Sequence, residues 1–94
     1  MALLTDAQLA AALRHLPEWS RDGDAIRREV VLRDFSAAMA FVNRVAALAE
    51  AADHHPDIEI RWNQVTLTLS THSEGGVTSR DVALAGQIDE AVLS

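Results

Sequence analysis

The chain has 94 residues, 49% hydrophobic and 23% charged, with fourteen acidic residues against eight basic ones and a net charge of −6. That composition suits one ordered core and the length leaves no room for a second, so residues 1–94 are read as a single domain. The acidic balance, without any basic run, argues against direct nucleic-acid binding, and the lack of cysteine excludes disulfides and thiolate metal sites.

Met1-Ala2-Leu3-Leu4-Thr5-Asp6 has neither the basic region nor the long apolar run of a secretory signal. No apolar stretch approaches the roughly 20 residues of a membrane span, so a cytoplasmic, non-membrane protein is expected. Thr5-Asp6-Ala7-Gln8 has the form of a capping box. Leu9, Ala12, Leu13 and Leu16 then recur at helical spacing before Pro17, which predicts a helix over 6–15. His15 on that helix is read as a residue favoured by the helix dipole, without a functional part. Residues 19–32 read as a hairpin turning at Asp22-Gly23-Asp24.

Asp34 is placed to cap a long helix over 35–52. On it Phe35, Ala38, Met39, Val42, Val45, Ala46 and Ala49 form one apolar stripe, and Phe41, Leu48 and Ala52 belong to a second. In so small a chain, a helix with two apolar sides is expected to meet a partner subunit as well as its own sheet. Pro56 is expected to stop it and to bias His55 toward extended geometry. Ile58, Ile60 and Trp62 alternate with polar residues as a strand. After a turn near Asn63-Gln64, Val65, Leu67 and Leu69 alternate with Thr66, Thr68 and Ser70. The same parity puts His72 with the hydroxyls, away from the core. Ser73-Glu74-Gly75-Gly76 is a loop, and Thr78-Ser79-Arg80-Asp81 opens a last helix carrying Val82, Ala85, Ile88, Ala91 and Val92. The order α-β-β-α-β-β-α predicts an α+β fold, a four-stranded antiparallel sheet with three helices on one face.

Three of the four histidines, His54, His55 and His72, fall close together, with Glu50 one helical turn upstream and Asp81 just downstream. Imidazole exchanges a proton near neutral pH, its unperturbed pKa being about 6.5, so the cluster points to proton transfer. Glu50 and His54 are four apart at a helix end and share a face. The carboxylate can hold the imidazole in one tautomer, or Glu50 is a solvated helix residue and His54 part of a cap. Asp81 can orient His72 and can equally serve the first turn of the last helix. Trp19 and Trp62 suit either a core or the wall of a flat ligand's pocket. A metal site built from the histidines and Glu50 is set aside, because adjacent His54 and His55 diverge in extended chain and no spacing matches His-Glu-x-x-His. No nucleophile elbow is present, and Gly75-Gly76 falls short of a phosphate-binding loop.

At these residues the chain resembles the pterin-4a-carbinolamine dehydratases. The pattern runs Glu50, His54-His55-Pro56, Trp62, His72, Asp81, with the family's spacing kept throughout and tryptophan at 62 where tyrosine is more usual. Asp34-Phe35, Asn43-Arg44-Val45-Ala46, Thr68-Leu69-Ser70-Thr71-His72 and Arg80-Asp81-Val82 extend the likeness over nearly the whole chain. The resemblance implies dehydration of a 4a-hydroxytetrahydropterin to the quinonoid dihydropterin, with no metal or redox cofactor and a small-molecule pterin as partner. It implies His54, His55 and His72 as catalytic residues, with Glu50 and Asp81 orienting them and Trp19 helping to wall the pocket. It also implies a homodimer or homotetramer. A second class of function comes with the family: a dimerisation or coactivator-type binding module acting through the long helix.

Overall fold

The computed structural model describes residues 2–93. Helix α1 spans Asp6–Leu13, two residues shorter at its C-terminus than its periodicity suggests. Its capping box forms as expected, with the Gln8 amide donating to Thr5 Oγ1 at 3.1 Å and the Thr5 amide donating to Gln8 Oε1 at 2.9 Å. Strands β1 (Ser20–Asp22) and β2 (Ala25–Val31) form the first hairpin. Gly23 takes φ +60° at its turn, a conformation in which a side chain would be strained.

Helix α2 spans Phe35–Ala52, the range its apolar stripe predicts. Asp34 caps it by accepting the Ala37 amide at 2.8 Å. That hydrogen bond, helped by neighbouring Arg33, holds the Asp34 carboxyl below its ordinary value. The cap therefore acts fully at neutral pH and fades only as acid titrates the group through its lowered value. The face that α2 buries is Ala38, Phe41, Val45 and Ala49. This corrects the expected stripe: Phe41 lies in the centre of the core, while Phe35 and Ala46 are exposed. Burying Phe41 alone is worth about 1.5–3 kcal/mol. By length and composition α2 could cross a bilayer. Its buried stripe against the sheet and its polar Asn43, Arg44 and Glu50 mark it instead as a core helix.

Strands β3 (Asp57–Arg61) and β4 (Gln64–Leu69) form the second hairpin. Its turn falls at Trp62-Asn63, one residue earlier than expected, since Arg61 pairs with Gln64. Trp62 thus leaves the strand, takes φ +51° and is 66% exposed. Apolar alternation had assigned it to the core face, but the tight turn reverses the chain before that register can continue. All four strands are antiparallel in the order β1-β2-β4-β3, so β4 sits between its hairpin partner and β2. Val65, Leu67 and Leu69 of β4 and Ile26 and Val30 of β2 face Leu9, Phe41, Val45, Leu84 and Ile88 from the helices, and all are buried in one core. Helix α3, Ser79–Leu93, follows a short 3-10 turn over His72–Glu74.

Candidate active site

The end of α2 sets the geometry. Asp53 adopts φ 50°, ψ 43°, the left-handed conformation common just past a helix end. The Asp53 amide donates to the Glu50 carbonyl at 3.2 Å and the His54 amide to the Ala49 carbonyl at 3.1 Å. This pair of bonds is a Schellman motif. The helix is therefore stopped at Asp53, three residues before Pro56, which had been expected to stop it. Arg80 of α3 reinforces the stop, donating from Nη2 to the carbonyls of Asp53 at 2.6 Å and Ala52 at 3.3 Å.

The reversal turns His54 inward and leaves His55 outside. His54 is 8% exposed, and its Nε2 lies 2.5 Å from Asp81 Oδ1, on a carboxylate that is wholly buried. The other oxygen, Oδ2, accepts the Thr71 hydroxyl and the Thr78 amide, each at 2.8 Å. Thr71 and Thr78 join through their hydroxyls at 2.8 Å, and Thr78 Oγ1 accepts the Arg80 amide at 3.2 Å. Asp81 thus serves two structures at once. It accepts the Thr78 amide at the start of α3, where Thr78 Oγ1 in turn caps the Arg80 amide, and it is the partner of a buried imidazole.

Glu50 pairs with His55 rather than with His54, its Oε2 meeting His55 Nε2. Helical spacing had put Glu50 beside His54, but the left-handed residue between them rotates His54 off that face. Asp81 likewise pairs with His54 and not with His72. His72 is exposed at the start of the 3-10 turn, immediately after Thr71. Backbone bonds between Thr71 and Gly76 close that loop, the Thr71 amide donating to the Gly76 carbonyl at 2.8 Å. One carboxylate therefore gathers both segments, taking His54 on one oxygen and the neighbour of His72 on the other.

Trp19 is 4% exposed, lies in the hydrophobic core and donates its indole N–H to Asp89 Oδ1 at 2.8 Å. Arg28, on β2, pairs with the same oxygen. Trp62 stands at the far end of β3 from His54 and His55. The residues that sequence reasoning passed over are Thr71, Thr78, Arg80 and Asp53. Thr78 carried a signal in its Thr-x-x-Asp spacing, read as a cap alone, and Thr71 was marked only as part of the run that resembles the family.

Among the described residues, no three histidine, aspartate or glutamate side chains come together as a metal site would require. A cavity of about 520 Å³ lies elsewhere, between α2 and α3, lined by Arg44, Ala47, Leu48, Gln87, Glu90 and Ala91. It holds no histidine and none of the buried network.

Comparison with known proteins agrees with the motif. The family model for pterin 4 alpha carbinolamine dehydratase matches residues 2–91. A Nocardia farcinica protein named as a pterin-4-alpha-carbinolamine dehydratase is 61% identical over 88 residues, covering 94% of this chain and 93% of its own. A Mycobacteroides abscessus protein of the same name is 55% identical over 92 residues, 98% of each. A crystal structure from Brucella melitensis, described as a transcriptional coactivator/pterin dehydratase, superposes with a TM-score of 0.92 at 38% identity, over 96% of this chain and 98% of that one. A pterin dehydratase-like protein described as a RuBisCO assembly factor in the alpha-carboxysome shares the fold alone. Its TM-score is 0.67 at 21% identity, over 81% of this chain and 88% of that one.

Proposed function

The chain belongs to the pterin 4 alpha carbinolamine dehydratase family, and from that premise we propose that it dehydrates a 4a-hydroxytetrahydropterin to the quinonoid dihydropterin by histidine acid/base catalysis. The observation that carries this reading is the convergence on Asp81, whose two oxygens hold His54 and Thr71, the residue next to His72. In the reaction, the ring nitrogen beside C4a loses a proton, the C4a–O bond breaks, and a carbon–nitrogen double bond forms. The departing oxygen takes a second proton and leaves as water. His54 and His72 are the acid/base pair, each contributing about 10²–10⁴-fold. His55, paired with Glu50 at the surface, polarises the 4a-hydroxyl. Trp19, which the resemblance implies as a wall of the pocket, lies in the core on Asp89. Neither a metal nor a redox group is needed for this proton bookkeeping, and the reading belongs to pterin recycling in the cytoplasm.

Replacement of His54 or His72 by alanine should lower kcat by at least about 100-fold, with a native circular dichroism spectrum in both, the unfolding midpoint kept in His72→Ala and lowered in His54→Ala, which leaves buried Asp81 short of a partner. Near-normal turnover of enzymatically generated 4a-hydroxytetrahydropterin by both variants would refute the assignment.

The outer flank of α2 supports a second reading, in which the chain is a homodimer or homotetramer and a binding module. Phe35, Ala46 and Ala47 are exposed on that helix, and the groove beside it carries Leu48 and Ala91. The mass in solution tests assembly. Alanine variants of the three histidines that still bind a protein partner would separate this role from catalysis.

A further inference from the structure

The hydrogens of the buried network can be assigned one by one. Thr78 has a backbone N–H that can only donate, and it reaches Asp81 Oδ2 at 2.8 Å. Thr71 has one hydroxyl hydrogen, which goes to the same oxygen at 2.8 Å. The bond between the two hydroxyls must therefore run from Thr78 to Thr71. Thr78 Oγ1 is left to accept the Arg80 amide, as observed at 3.2 Å. Every hydrogen in this chain points toward Asp81.

Asp81 Oδ2 accepts from two donors at once, the part of an ionised carboxylate, which accepts on both oxygens. Ionised, it has no hydrogen to give. The bond at 2.5 Å between Asp81 Oδ1 and His54 Nε2 then needs its proton from the imidazole. A neutral imidazole has one N–H, so the lone pair falls on Nδ1. Arg28 Nε is the one buried side-chain nitrogen or oxygen without a partner among the described residues. Among the described residues no hydrogen bond reaches His54 Nδ1, and since that atom is not one of the buried unpartnered ones it keeps some contact with the surface.

From this we infer that Thr71 and Thr78 are positioning residues that lock His54 in the Nε2–H tautomer, with Nδ1 as the proton-accepting atom of the site. This rests on the dehydratase reading for its consequence. His54 is then the base that takes the proton from the ring nitrogen beside C4a, and Asp81 stabilises the imidazolium that results. The proton for the departing hydroxyl then comes from His72, while His55 polarises that hydroxyl.

The test is the nitrogen spectrum of ¹⁵N-histidine-labelled protein at a pH where imidazole is neutral, with His54 assigned by its absence from His54→Ala. The expected result is a protonated Nε2 and a bare Nδ1 in the parent. Thr71→Val should shift His54 toward mixed tautomers and lower kcat about tenfold, the scale of one hydrogen bond, with KM little changed. Thr71→Ser should restore both. A parent His54 protonated on Nδ1 would overturn the inference, whatever the variants do. A Thr71→Val protein with parental tautomer and parental kcat would overturn the part given to Thr71. The parental spectrum decides the tautomer even if Thr71→Val does not fold. The expected spectrum in a protein without dehydratase turnover would uphold the lock while sinking the dehydratase reading, so the two failures are distinct.

Discussion

Two imidazole–carboxylate pairs leave the same helix end side by side, and they differ in almost everything except chemistry. His54 and Asp81 are 8% and 0% exposed, and His55 and Glu50 are 55% and 77% exposed. The buried pair joins segments 27 residues apart and is wired to two threonines and a helix cap. The exposed pair is local, spanning five residues at one helix end. Water screens the exposed pair and can replace either partner, whereas removing a partner from the buried pair leaves donors with nothing to meet. The same two functional groups thus act as a fixed element of structure in one place and as an adjustable contact in the other.

Removing the carboxylate of the buried pair should give the largest effect. Asp81→Ala strands the Thr71 hydroxyl, the Thr78 amide and the His54 ring, and it deletes the cap of α3. A loss of about 3–5 kcal/mol in urea unfolding is expected, a large share of a small domain's stability. A loss below about 1 kcal/mol would show that the buried pair behaves like the exposed one, and the contrast would fall. Arg80→Met comes next. It keeps much of the aliphatic stem but loses the donors to the Asp53 and Ala52 carbonyls. About 1–2 kcal/mol is expected from unfolding, together with a fall in kcat, because the Schellman turn that aims His54 is no longer tied to α3. Unchanged kcat would mean that the turn holds its own shape without the arginine.

How far this arrangement can be read from the sequence depends on whether its causes are local. Helix α2 is legible because Asp34 and the apolar spacing act within a few turns. The capping box at Thr5 and the cap at Thr78 are legible for the same reason. The partner of His54 is not, because a single left-handed residue at Asp53 changes which face the ring takes, and the true partner comes from another helix. Trp62 misleads in the opposite way: period-two alternation runs through it, but the two-residue turn is set by pairing between Arg61 and Gln64. Strand order, with β4 between β2 and β3, also depends on long-range pairing. The histidines, Glu50 and Asp81 were marked as a group by their residue types and spacing, while their pairing required the fold.

The smallest expected effect sharpens the comparison most, because it asks whether exposure alone makes the second pair weak. Glu50→Gln keeps the shape of the side chain and removes its charge. Against a neutral or protonated His55 at this level of exposure, the loss should be only about 0.2–1 kcal/mol. It should shrink further in high salt, where surface charges are screened within a few ångströms. The effect on turnover should also stay modest, because the amide oxygen of the substituted side chain can still accept a hydrogen bond from His55 and water can replace it. A loss matching that of Asp81→Ala and insensitive to salt would mean that Glu50 and His55 are buried in the working protein. The covering surface would then have to be another molecule, and an assembly state measured at the same protein concentration would identify it as a second copy or leave the substrate itself as the cover.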